Sequence, residues 1–90
     1  SLKDIAKLLD RTLEVHKEEF GNADDVLAPL QLTHSGRYSV PKRIIAYHNP
    51  YVDLKFQVPP DYPVITDDEL ERLEDDYVEA AILAWRAGFR

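Results

Sequence analysis

The chain has 90 residues, a formal net charge of −6 and no cysteine. Ninety residues make one small domain at most, or part of a larger one, with only a modest buried fraction. The acidic balance argues against a nucleic-acid partner, because the eleven Lys and Arg residues form no basic patch, and the missing cysteines remove disulfides, thiolate nucleophiles and Cys-ligated zinc.

No membrane span is expected either. The longest apolar run, from Ala80 to Trp85, falls far short of the roughly 20 residues that a bilayer requires. No signal-peptide pattern opens the sequence, and the cysteine-free composition is compatible with a reducing cytoplasm, so a cytoplasmic location is expected. The first residue is Ser1 rather than methionine, as an excised piece or a processed chain would have it.

In chain order, Leu2, Ile5, Leu9, Leu13, His16 and Phe20 recur every three or four residues and predict an amphipathic helix. Ser1 is placed to cap its start, and Gly21-Asn22 to release the chain in a left-handed turn. His16 falls within the apolar stripe, where a packed helix margin explains it without a ligand.

After a polar connection at Asn22–Asp25, the run Val26-Leu27-Ala28-Pro29-Leu30-Gln31-Leu32 has the continuous apolar character of a strand buried on both faces. Pro29 cannot donate to a ladder, so the regular part should begin at about residues 28–30. The apolar run then gives way abruptly to Thr33-His34-Ser35-Gly36-Arg37-Tyr38-Ser39. Dense hydrogen-bonding side chains, with Gln31 between Leu30 and Leu32, are expected where a buried parallel strand ends at a ligand site.

From His34 to Ile65 runs an excursion of roughly thirty residues, beyond the length of about 12–15 above which irregular connections are usually functional. Prolines at 41, 50, 59, 60 and 63 are expected to exclude helix. Arg43–Tyr47 and Val52–Val58 are each compatible with an extended arm, with His48-Asn49-Pro50-Tyr51 as the turn of a small hairpin; a coil pinned by its aromatic side chains would have the same composition.

The last element carries the strongest signals. Thr66 and Glu69 form a capping box, Asp67 and Asp68 suit the helix dipole, and Leu70, Leu73, Tyr77, Ala80, Ala81 and Ala84 supply an inward face before Gly88 ends the helix. Ala80 to Trp85 is apolar nearly all round, which calls for more neighbours than one other long helix provides.

Gln31-Leu32-Thr33-His34-Ser35-Gly36-Arg37-Tyr38-Ser39, followed by Ile65-Thr66-Asp67-Asp68-Glu69-Leu70, Tyr77-Val78-Glu79-Ala80-Ala81 and Ala87-Gly88-Phe89, resemble consecutive landmarks of the Old Yellow Enzyme family, the FMN-dependent NADH:flavin oxidoreductases. The closer likeness is to the branch that includes 2,4-dienoyl-CoA reductases. It covers most of the chain from Leu30 onward; the first helix agrees only in position and pattern.

The resemblance implies an α/β fold in which residues 1–90 are a fragment of a (β/α)8 TIM barrel: second helix, third strand, following loop and third helix. It also implies hydride transfer from NAD(P)H through FMN to an electron-poor alkene, such as an enone or enoyl thioester. Gln31 would bond the pyrimidine edge of the flavin, for which a carboxamide has both donor and acceptor. His34, Arg37 and Tyr38 would lie at the flavin-side mouth, either touching substrate or positioning the loop.

Catalytic residues are not expected within this stretch. The family's paired His-His or His-Asn, its tyrosine proton donor and its phosphate-binding loops have no counterpart in it, so the piece alone should neither hold FMN tightly nor transfer hydride. The rest of the barrel would be required for stability. The alternative from another class is a small acidic α+β protein-binding module using the hairpin and its tyrosines. His16, His34 and His48 lack metal-ligand spacing, and the Asp pairs read as solvated turns and a helix face. Ser35 with His34 makes no hydrolase site, since neighbours on a strand point apart and no nucleophile elbow is present.

Overall fold

A computed structural model describes all 90 residues. It contains helix α1 at Leu2–Phe20, a 3-10 turn at Gly36–Tyr38, a short helix α2 at Pro50–Phe56 and helix α3 at Asp67–Ala87. There is no sheet. The chain divides into two compact units, Ser1–Leu32 with Asp75–Arg90, and Thr33–Glu74. No helix is long and apolar enough to cross a membrane.

In the first unit, α1 forms where its periodicity places it. The Ser1 hydroxyl accepts from the Asp4 N–H at 3.3 Å, and Gly21, at φ 90°, closes the helix by donating its N–H to the Lys17 carbonyl at 2.7 Å. Leu9 is buried, with Ile5, Leu13 and His16 half-buried beside it, whereas Phe20 is exposed and rests its ring against His16. The other end of this unit is a Schellman motif at the close of α3, where Gly88 donates to the Trp85 carbonyl and Phe89 to the Ala84 carbonyl, both at 3.1 Å. The left-handed conformation of Gly88, φ 104°, is paired with close packing, since a Cβ there would lie 3.1 Å from the Leu9 Cδ2.

The expected barrel strand is not a strand. From Val26 to Leu32 burial alternates, with even-numbered residues half-buried and odd-numbered ones exposed, but no second strand pairs with this stretch. Its only backbone hydrogen bonds run from Val26 to the Ala23 carbonyl and from the Arg90 N–H to the Ala28 carbonyl. A strand is defined by its ladder, which an apolar run cannot supply for itself. The all-helical architecture therefore overturns the α/β, (β/α)8 assignment.

The proposed hairpin fails for a different reason. Its second arm, Val52–Val58, is largely replaced by α2. Asn49 caps that helix, its Oδ1 accepting from the N–H groups of Tyr51 at 3.1 Å and Val52 at 3.0 Å, and Pro50 occupies the first turn, where its missing N–H costs nothing. Asn-Pro thus starts a helix here instead of turning a hairpin, and the local cap outweighs the alternation of Leu54, Phe56 and Val58.

The second unit is held by side chains reaching across its irregular segments. Ile45 and Val58 are its buried apolar residues, and Ile65 N–H donates to the Ile45 carbonyl at 2.8 Å. The Tyr62 hydroxyl donates to the Arg43 carbonyl at 2.7 Å, and Arg43 in turn donates to the Arg37 carbonyl at 2.6 Å. Tyr38 meets Phe56 edge-on at 5.0 Å. The capping box at the start of α3 forms in both directions, Glu69 N–H to Thr66 Oγ1 at 3.1 Å and Thr66 N–H to Glu69 Oε2 at 3.4 Å.

Along α3 the inward residues are Leu73, Tyr77, Ala80, Leu83, Ala84 and Ala87; Leu70 and Ala81, expected inside, are exposed. Val78, Ile82 and Trp85, at i, i+4 and i+7, form an exposed apolar stripe, Trp85 being 64% accessible.

Candidate functional site

Gln31 belongs to the first unit and His34, Arg37 and Tyr38 to the second. Gln31 is exposed and its carboxamide makes no hydrogen bond within the chain, while Leu30 and Leu32 on either side turn inward. These leucines line an open apolar groove of about 240 Å³ together with Ala84, Trp85 and Phe89, and Gln31 is not among its walls. The carboxamide therefore keeps both its N–H donors and its carbonyl acceptor available.

The other three residues are occupied. The His34 Nδ1 accepts from the Gly36 N–H at 3.0 Å, a local bond that fixes the start of the 3-10 turn. Gly36 is left-handed, φ 53°, and its carbonyl accepts from both Ser39 and Ile44. Arg37 ion-pairs with Asp53 through Nη1 and donates from Nη2 to the Tyr47 carbonyl at 2.8 Å. Tyr38 is 66% exposed and meets Phe56 in a T-shaped ring contact. Arg37 thus spends its guanidinium on pinning the loop, and of the three only Tyr38 presents much free surface.

Around Arg37 the structure assembles a cluster that the sequence reading did not bring together. Asp53 is buried, on α2, and one oxygen meets Arg37 while the other accepts from His48 Nδ1 at 2.7 Å. The second ring nitrogen of His48 faces the Tyr62 carbonyl at 2.7 Å. The bond to Asp53 raises the His48 pKa above its ordinary 6.5; the Tyr62 carbonyl adds to this, and desolvation and the Arg37 charge oppose it. Burial pushes Asp53 upward, yet hydrogen bonds from His48 and Arg37, with the Arg37 charge, outweigh it and leave its pKa below the ordinary 3.8.

Such a buried carboxylate, bonded to a guanidinium and an imidazole, can order a loop and keep a proton on the imidazole. One local clue was available: Asp53 follows the Asn49-Pro50 cap within the first turn of α2, near His48. The approach of Arg37, sixteen residues away, has no sequence signal. No group of three or more His, Cys, Asp or Glu is arranged to hold a metal ion.

Comparison with known proteins gives no match, whether with protein-family models, curated proteins or solved structures.

Proposed function

We propose that this chain is part of an FMN-dependent oxidoreductase that uses NAD(P)H to reduce an electron-poor alkene, an enone or an enoyl thioester, in a reducing cytoplasm. The observation that carries the reading is Gln31: an exposed carboxamide without an internal partner, at the head of the ordered motif Gln31-Leu32-Thr33-His34-Ser35-Gly36-Arg37. Its donor and acceptor complement the N–H and carbonyl groups of a flavin pyrimidine edge. Bound FMN would supply the two-electron chemistry; Gln31 contributes orientation and one neutral hydrogen-bonding contact. The residues that activate the alkene lie elsewhere in the working enzyme.

The test is to purify the protein as its gene encodes it and to measure bound flavin and NAD(P)H oxidation dependent on 2-cyclohexenone. A yellow protein with alkene-dependent turnover is expected, and Gln31→Leu should weaken FMN binding about 2- to 12-fold, the equivalent of roughly 0.5–1.5 kcal/mol for a neutral hydrogen bond. Colourless protein without turnover would overturn the reading.

A second reading is favoured by the exposed stripe of Val78, Ile82 and Trp85 on α3: a small acidic protein-binding module, helical rather than α+β. It predicts that Ile82→Asp abolishes partner capture and that no flavin is bound.

A further inference from the structure

The contacts of the two ring nitrogens of His48 match a doubly protonated ring. Nε2 lies 2.7 Å from the Tyr62 carbonyl oxygen, which can only accept, so Nε2 carries a proton. Nδ1 lies 2.7 Å from Asp53 Oδ2, and the other oxygen of that carboxylate is engaged by Arg37, which favours the ionised form; Nδ1 therefore donates as well. An imidazole that donates from both nitrogens is an imidazolium. The groups facing it are Asp53 from α2, the Tyr62 carbonyl from the segment after Val58 and, across Asp53, the Arg37 guanidinium from the 3-10 turn.

We propose that His48 is a proton-operated clasp: charged, it ties Asp53 of α2 to the Tyr62 segment, and on losing its proton it gives up its bond to the Tyr62 carbonyl. A neutral imidazole has one N–H and one lone pair, and here both of its neighbours are acceptors. Deprotonation must set a lone pair against either the carboxylate or the carbonyl. The charge-assisted bond to Asp53 is the stronger of the two, so Nδ1 keeps the hydrogen and the contact with Tyr62 is lost.

Tyr62 is also held through its hydroxyl to Arg43, and the chain three residues on bonds Ile65 to Ile45. Neither bond involves the imidazole, so deprotonation removes one of several ties on the segment between α2 and the start of α3 and weakens its anchoring. The inference is independent of the flavin reading, since it concerns only residues 37–65.

The experiment is a pH titration of the ¹⁵N-histidine-labelled protein, from about pH 5 to 9, following the ring nitrogens and the amide exchange of Tyr62 and Ile65. His48→Gln assigns the ring signals. Both His48 nitrogens should be protonated at the acid end, with a midpoint above the ordinary 6.5 and a loss of exchange protection at Tyr62 and Ile65, measured against the intrinsic base-catalysed rate at each pH, as the ring titrates. Asp53→Asn should move the midpoint down. A single neutral tautomer at pH 6 would overturn the proposal, as would titration with unchanged exchange protection at those two amides. The unsubstituted protein decides the matter, so a poorly folded Asp53→Asn variant leaves the test intact.

Discussion

Asp53 and His48 link the second unit's stability to pH through shifts of opposite sign. The folded pKa of Asp53 is depressed, so its contribution is fully present above the ordinary carboxylate value of 3.8 and is lost as pH falls through the depressed value. That of His48 is raised, so its contribution is complete below 6.5 and disappears as pH rises through the raised value. The unit should therefore be most stable between those limits. Thermal unfolding followed by near-ultraviolet circular dichroism across the range should give a maximum there, flattened in His48→Gln on the alkaline side.

Gly88 presents a separate residue-scale case. It is left-handed and leaves only 3.1 Å between an added Cβ and the Leu9 Cδ2. Gly88→Ala should cost about 1–2 kcal/mol, from backbone strain and from the crowding of Leu9, read as a fall in the denaturant midpoint at constant m.

Among the elements, α1 and α3 were legible in the sequence because the signals that begin and end them are local. Ser1, Gly21, the Thr66–Glu69 box and Gly88 each act within a few residues of a strong apolar period. The same locality explains α2 in retrospect: Asn49 before Pro50 is a helix start, but the short alternation that follows reads equally well as a strand arm. What could not be read locally was whether Val26–Leu32 would find a ladder partner, since that depends on chain remote from it. Asn49→Ala should cost about 1 kcal/mol, with faster amide exchange at Tyr51 and Val52, the two groups that Asn49 satisfies. Unchanged exchange at both would show that α2 stands without its cap.

At the scale of the whole molecule, the buried apolar set is small: Leu9 and Ala84 in the first unit, Ile45 and Val58 in the second, with no large side chain sealed completely. Hydrophobic stabilisation follows the apolar area removed from water, and here Trp85, Leu54, Tyr51 and Val40 keep much of theirs exposed. Calorimetry of residues 1–90 alone should show a broad transition of low enthalpy, and a sharp one would contradict this account. The candidate site was legible to a different extent in each unit. Gln31 stood out in the sequence only as a polar residue within an apolar run, which says nothing of a ligand by itself, whereas the Arg37–Asp53–His48 cluster depends on contacts that only the folded loop creates.

The stretch from Leu27 to Leu32 has one further consequence, for the handling of the protein. A protease must draw some ten residues into an extended, main-chain-bonded form, and a segment already free of internal backbone bonds resists this least. In this stretch only the Ala28 carbonyl is engaged, and Leu27 is 75% exposed. Among leucine sites, brief digestion with chymotrypsin should cut after Leu27 ahead of the leucines within α1, and mass spectrometry of the earliest products would identify the cut. Early cleavage inside α1 instead would mean that the helix, not the linker, is the weakest point of the chain.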